Sequence, residues 1–126
     1  MDLNTLKPVE RTIEIVHPTT GKELNIKVSL ISISDERLAK VKRRIQDEKL
    51  RLEARGKNFK SEDIEENRNI LIFGAMTGWE WSKDAKFNGE KPAFNLKTVT
   101  EILTALPWFR EQLEEAISDE QAFFLT

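Results

Sequence analysis

Apolar and polar residues alternate in two stretches near the start of the chain, and this period of two predicts a β-hairpin at 9–31. The apolar positions of the two stretches are Val9, Ile13, Ile15, Leu24, Ile26, Val28 and Leu30. Residues 17–23 lie between them and contain Pro18 and Gly21, which favour a turn. An isolated two-stranded hairpin is marginal in water, so we expect it to cover a helix or to join a sheet of another chain.

After residue 34 the apolar period lengthens to that of helices, and four helices are predicted. The first three helices are expected to begin at the caps Ser34, Ser61 and Asn95, and the fourth at Pro107. The first two are expected to end at Gly56 and Gly78. The first helix has a narrow apolar stripe and highly charged outer faces. The second is apolar nearly all round at 70–76 and is expected to be central in the core.

The third helix is expected to turn Leu96 and Val99 inward, and 79–94 is predicted to be the longest irregular segment. The fold class is therefore mainly α: about four helices with an N-terminal β-hairpin, an α+β arrangement. A single domain at 1–126 is expected, with the hairpin at 9–31 and the helical part at 35–124.

Composition argues against most catalytic and metal chemistry. The 126 residues include no cysteine and one histidine, His17, which falls in the predicted hairpin turn. Nucleophilic catalysis needs a nucleophile beside an oriented base, and neither thiolate nor multi-histidine metal sites are possible here. We therefore expect no enzymatic activity, no catalytic residue, no cofactor and no bound metal. No apolar run reaches the roughly 20 residues that cross a bilayer, and no secretory signal is expected from the polar and acidic residues in 1–20.

Charge is distributed unevenly along the chain. Residues 35–60 hold ten basic against five acidic residues, whereas 107–126 holds one basic against five acidic residues. This bipolar pattern predicts self-association into homo-oligomers through Lys40, Arg43 and Arg44 on one side and Glu114 and Glu115 on the other. The basic run at 40–44 is also typical of a solvated helix face. A net charge of −2 argues against a general nucleic-acid binder.

Aromatic residues in the second half of the chain are candidates for binding other proteins, because aromatic side chains on loops bury much area at interfaces. The predicted partner-binding residues are Trp79, Trp81, Phe87, Trp108, Phe123 and Phe124. The alternative is that some of them fold back and fill the core.

The order of these apolar and turn residues resembles a known family. The resemblance covers residues 64–124 and rests on Gly78-Trp79, Asn88-Gly89, Pro92, Phe94-Asn95, Leu106-Pro107-Trp108 and Phe123-Phe124. This pattern is similar to the tail assembly chaperones of lambda-like, long-tailed bacteriophages.

The resemblance implies a non-enzymatic protein of the infected host's cytoplasm that is absent from the mature virion. Such chaperones bind the tape measure protein, keep its long helices soluble and help recruit the major tail protein. No membrane or nucleic acid is expected as a partner. Two alternatives stay open: a structural head or tail component of the virion, and a small nucleic-acid-associated regulator that uses the basic helix at 35–60.

Overall fold

In a computed structural model, residues 9–56 and 61–124 form a three-stranded antiparallel sheet packed against four α-helices; the side chains of residues 61, 62 and 120 are not described. The strands are β1 (Arg11–Val16), β2 (Glu23–Leu30) and β3 (Met76–Trp81). The helices are α1 (Ala39–Ala54), α2 (Ser61–Ala75), α3 (Leu96–Ala105) and α4 (Pro107–Ser118), with short 3₁₀ turns at Glu36–Leu38 and Glu120–Phe123. The predicted hairpin and the α+β class are confirmed, but the third strand lies inside the part predicted to be helical.

The sheet has the order β1-β2-β3, so the hairpin gains its third strand from its own chain. Val28 pairs with Ile13 on one side and with Trp79 on the other, and the three share the inner face. The prediction that Gly78 ends a helix is wrong, because Gly78 lies in β3 opposite Ser29. Residues 79–81 are likewise strand, since Trp79 and Trp81 alternate with the exposed Glu80 in the period that a half-buried strand requires.

The core lies between the inner face of the sheet and helices α3 and α4. Its fully buried side chains include Ile15, Val28, Leu30, Leu38, Val99, Ile102, Leu103, Phe109, Leu113 and Phe123. Most of the inward-facing positions of β2, α3 and α4 are thus used in one apolar cluster.

The boundaries of α3 and α4 follow from local chemistry, as predicted. The Asn95 side-chain oxygen accepts the backbone N–H of Thr98 at 2.8 Å, and Pro107 occupies the first position of α4. The inward prediction for Leu96 is wrong, because its side chain is 45% exposed. It is the first residue of α3 and precedes the stripe that faces the core, which begins at Val99.

Helix α1 is preceded by a 3₁₀ turn that Asp35 caps, whereas Ser34 was predicted to be the cap. The Asp35 carboxylate accepts the backbone N–H of Arg37 at 2.9 Å and also binds its guanidinium. These hydrogen bonds hold the pKa of Asp35 below its usual range. Helix α1 ends before Gly56, whose φ of +72° confirms the predicted stop. No residue of α1 is buried.

Helix α2 lies between α1 and the α3–α4 pair. Its predicted cap, Ser61, falls outside the described side chains. The expectation of a central helix holds for Ile72 and Ala75, which are buried, but Leu71 and Phe73 are only partly buried. The helix stops at Ala75 because Met76 enters β3 and pairs with Leu30.

Side chains from other elements bind the outer edge of each end strand of the sheet. On β1, the Gln112 amide accepts the Val16 N–H at 3.0 Å and donates to the Val16 carbonyl at 2.8 Å. Beside β3, the Lys91 ammonium donates to the Trp81 carbonyl at 2.7 Å. These contacts occupy backbone groups of the last residue of β1 and of β3, which a neighbouring strand would otherwise pair with.

Candidate partner-binding surfaces

Three of the six predicted partner-binding aromatic residues line one cavity of about 420 Å³, here named the aromatic cavity. Trp81 comes from β3, Phe87 from the loop that follows it, and Trp108 from the start of α4. Phe109 closes the cavity from the core side and stacks on Trp81 with ring centroids 6.2 Å apart. The cavity falls in the usual volume range of small ligand pockets, roughly 300–1,000 Å³.

Trp81 belongs to the core as much as to the cavity. Its side chain is 8% exposed, which corrects its prediction as a surface contact. The indole N–H of Trp81 is buried and has no hydrogen-bond partner among the described residues. A buried donor without an acceptor costs free energy, about 1–3 kcal/mol for a typical group. The packing of Trp81 against Phe109, on the inner face of the sheet, must therefore outweigh this cost to keep the indole ring buried.

Trp79 lies beside Trp81 on the same face of the sheet, and their rings meet edge to face with centroids 5.5 Å apart. The Trp79 ring also stands edge-on to Phe94, with ring centroids 5.6 Å apart. The Phe94 ring in turn lies 5.3 Å, centroid to centroid, from that of Phe73 in α2. The Trp79 indole N–H donates to the carbonyl of Pro92 at 3.3 Å. Trp79 thus ties the loop after β3 to the sheet, which is a structural role.

The two phenylalanines near residue 124 have opposite environments. Phe123 is fully buried, and its carbonyl accepts the backbone N–H of Val9 at 2.8 Å. Its prediction as a partner contact is therefore corrected to a core role. Phe124 is 47% exposed and remains on the surface.

The residues predicted for self-association are only partly accessible. Lys40, Arg43 and Arg44 are exposed on α1, and Glu115 is exposed on α4. Glu114 is instead engaged within the chain: its carboxylate binds Arg68 of α2 at 2.7 Å.

A small ion-pair network surrounds Glu114. Arg110, one turn earlier on α4, lies 3.4 Å from Glu114 and binds Glu65 of α2 at 2.8 Å. The bond to Glu114 raises the pKa of Arg68 further above its ordinary value. The network joins α2 to α4, so Glu114 forms intramolecular ion pairs while its side chain stays 32% exposed.

An apolar groove that was not predicted from the sequence lies between α1 and α2, and we name it the α1–α2 groove. It has a volume of about 320 Å³ and is lined by Ile45, Lys49, Ile64, Asn67, Arg68 and Leu71. The α2 members recur at intervals of three and four residues and form one stripe on that helix. Ile64 is 53% exposed, so the groove is open to solvent along part of its length. The three- and four-residue spacing of Ile64, Arg68 and Leu71 could have indicated a groove-lining face, but the same spacing is typical of a helix face turned toward the core.

A smaller hollow of about 110 Å³ adjoins the groove and shares Arg68 and Leu71 with it. It lies between α2 and α4, where Ile33 and Ile117 supply further apolar surface. The Arg68–Glu114 ion pair borders this hollow. Apolar surface therefore continues from α1 across α2 toward α4.

The opposite side of the α1–α2 pair has a different character. A narrow cleft of about 30 Å³ is lined there by Glu48, Asp63, Glu66, Asn67 and Ile70. Its charged groups are acidic, whereas those lining the groove are the basic Lys49 and Arg68. The helix pair thus presents one open basic and apolar side and one closed acidic side.

Within residues 9–56 and 61–124, no group of three or more histidine and acidic side chains is placed to hold a metal ion. His17 has a local role, because its Nδ1 accepts the backbone N–H groups of Thr19 and Thr20 at 3.1 and 3.2 Å. Over the same part of the chain, no helix has both the length and the apolar character that a bilayer crossing requires.

Comparison with known proteins adds no relative: no family model matches the chain, and neither a curated protein nor a solved structure is significantly similar to it.

Proposed function

We propose that this chain is a non-enzymatic tail assembly chaperone of a long-tailed bacteriophage. In the proposed role it binds the helical tape measure protein and helps recruit the major tail protein in the host cytoplasm, and it is left out of the mature virion. The observation that carries the proposal is the open α1–α2 groove, one wall of which is a sixteen-residue helix without a single buried residue.

A groove of this kind suits a helical client for a physical reason. A helix that buries none of its own residues contributes little to the core, yet α1 keeps Val41, Ile45 and Leu52 partly covered, the first two beside α2. An amphipathic helix from another protein can place apolar residues at i, i+3, i+4 and i+7 between two such helices. Client surface that would otherwise aggregate is then removed from water.

The resemblance over residues 64–124 supplies the biological setting, and the groove supplies a means of binding. The aromatic cavity, bordered by the partly exposed Phe87 and Trp108, is a second accessible apolar surface. Two separate surfaces fit a protein that must hold one partner while another is recruited.

Co-expression with the tape measure protein of the same phage tests the proposal. The expected result is that the tape measure protein becomes soluble and co-purifies with a tagged form of this chain. A variant with Ile64→Glu should lose the co-purification, whereas Leu50→Glu should keep it, because Leu50 is equally exposed at 53% but lies outside the groove. A tape measure protein that stays insoluble with the unaltered chain contradicts the proposed function.

The exposed basic face of α1 favours a second candidate, a regulator that binds nucleic acid through Lys40, Arg43 and Arg44. Such binding would weaken steeply as salt rises, because it releases counterions from the phosphate backbone. Titration of labelled duplex DNA at two salt concentrations distinguishes this candidate. The other alternative, a structural component, requires the chain to be present in purified virions.

A further inference from the structure

We infer that the α1–α2 groove selects amphipathic helices whose apolar stripe is flanked by acidic residues, with Lys49 contacting the acidic flank. This inference rests on the proposed function in taking a helix as the client, and it adds the binding surface and the chemistry of the client. It follows from the shape of the groove, from its charge and from the charge of the opposite cleft.

The shape of the groove matches one face of a helix. Ile64, Arg68 and Leu71 follow one another along α2, and Ile45 and Lys49 stand one turn apart on α1. Two roughly parallel rows of side chains with an open space between them form the groove into which the ridge of a third helix packs. The volume of about 320 Å³ gives room for more than one apolar side chain of that helix.

The charge of the groove selects among helices. Of its two basic residues, Arg68 is already bound to Glu114 at 2.7 Å. Lys49 is exposed and forms no salt bridge with any residue that the structure describes, so its charge is available to a ligand. A carboxylate on the client, beside its apolar stripe, would meet Lys49 at the rim of the groove. A basic flank would meet Lys49 with like charge and be disfavoured.

The acidic side of the helix pair explains why the client enters from one side. Glu48, Asp63 and Glu66 line the cleft on the far side of α1 and α2, and that cleft is much smaller than the groove, at about 30 Å³ against about 320 Å³. An acid-flanked helix is repelled there and attracted at the groove. Charge and space therefore favour the same surface.

Two fluorescently labelled synthetic peptides test the inference on the full chain. Both are helical and carry leucine at the same i, i+3, i+4 and i+7 positions; one has glutamate at the flanking positions and the other has lysine. Fluorescence anisotropy at low salt should show binding of the glutamate peptide and at least about tenfold weaker binding of the lysine peptide. Equal affinity for the two peptides overturns the inference.

Two variants with matched controls locate the binding surface. Ile64→Glu should weaken binding of the glutamate peptide about tenfold or more, because the variant loses the burial of a side chain that is still 53% exposed and puts a carboxylate into the apolar contact beside the peptide's own glutamates. Leu50→Glu, at the same 53% exposure but outside the groove, should change it less than about twofold.

Lys49→Glu should weaken binding of the glutamate peptide about threefold to fivefold and should strengthen binding of the lysine peptide. Arg51→Glu makes the same change of charge on α1 outside the groove and should do neither to a comparable extent. An Ile64→Glu variant that stays folded by circular dichroism and binds the glutamate peptide as well as the unaltered chain overturns the inference.

The outcome separates this inference from the proposed function. Peptide selection at the groove without any effect on the tape measure protein would leave the inference standing and remove the phage role. If the chain solubilises the tape measure protein equally well with Ile64→Glu or Lys49→Glu, the proposed function stands and the inference about the groove is removed.

Discussion

Helices α1 and α4 differ sharply in how they are attached to the molecule. Helix α4 buries Phe109, Leu113, Ala116 and Ile117, whereas the longer α1 buries none of its residues. Both carry many charged residues, so composition alone does not separate them. The difference lies in their neighbours: α4 packs against α2, α3 and β1, while α1 rests on α2 and on the 3₁₀ turn before it. Stability is concentrated around α4, and accessible apolar surface is concentrated beside α1.

The largest expected effect comes from removing a core aromatic side chain of α4. Phe109→Ala should lower the free energy of unfolding by about 3–5 kcal/mol, because a fully buried ring is lost and a cavity remains. Ile45→Ala on α1 should cost only about 1 kcal/mol, since its side chain is partly exposed in the unaltered chain.

Urea denaturation of both variants measures the contrast. Losses of similar size would mean that α1 is as firmly anchored as α4, and the division between the two regions would fail. Hydrogen exchange supplies an independent check, because amides in α1 should exchange well before those in α4.

An intermediate effect is expected at Gly74, where α2 contacts both α1 and its preceding turn. A Cβ added at Gly74 would lie 3.2 Å from side-chain carbons of both Leu38 and Val41, which is too close for either to stay in place. Gly74→Val should therefore cost about 1–3 kcal/mol by overpacking and should displace the start of α1.

Gly78→Val is the matched control, because a Cβ at Gly78 in β3 meets no atom within 4 Å. It should be neutral or slightly stabilising, since valine favours strands. A Gly74→Val variant as stable as the unaltered chain would show that α1 yields freely, and that its position beside α2 is set by other contacts.

The smallest expected effect on stability comes from reversing charge on the outer face of α1. The double variant Arg43→Glu, Arg44→Glu should change the free energy of unfolding by no more than about 0.5 kcal/mol, because both side chains are exposed. It should nevertheless shrink any concentration-dependent oligomers of the chain, in line with the predicted self-association.

Sedimentation velocity at about 50 and 500 mM salt tests this, because exposed ion pairs are screened over a Debye length of roughly 10 Å at 0.1 M. The pair Lys83→Glu, Lys86→Glu carries the same charge change on the exposed loop after β3 and serves as the control. A chain that is monomeric at low salt and high concentration contradicts self-association.

The sequence predicted those parts of the fold that depend on neighbours close in the chain. The cap at Asn95, the start of α4 at Pro107 and the stop at Gly56 each require contacts within about one helical turn. The inward prediction for Val99 also holds, because it lies on the single apolar stripe of α3 that faces the core.

What the sequence did not predict depends on contacts between distant residues. The segment at 76–81 follows an apolar helix and contains Gly78, so local rules favoured a helix end over a strand. Only the pairing of Trp79 with Val28, about fifty positions earlier, makes it part of the sheet.

The candidate site shows the same limit. Aromatic residue type indicated a binding role for Trp81 and Phe123, yet both are buried, since apolar surface serves the core and an interface equally well. The α1–α2 groove went unseen because the stripe of α1 does not reveal which helix lies beside it.

The clamp of Gln112 on Val16 has a consequence for synthesis of the chain on the ribosome. The two residues are 96 positions apart. At roughly 5–20 residues per second, the hairpin leaves the ribosome about 5–20 s before Gln112, which binds the outward backbone groups of Val16. During that interval β1 offers unpaired backbone groups to any other nascent strand nearby. A polysome carries many copies of this hairpin in proximity, so translation speed becomes a determinant of yield: slowing the ribosome between codons 30 and 112 should increase the aggregated fraction.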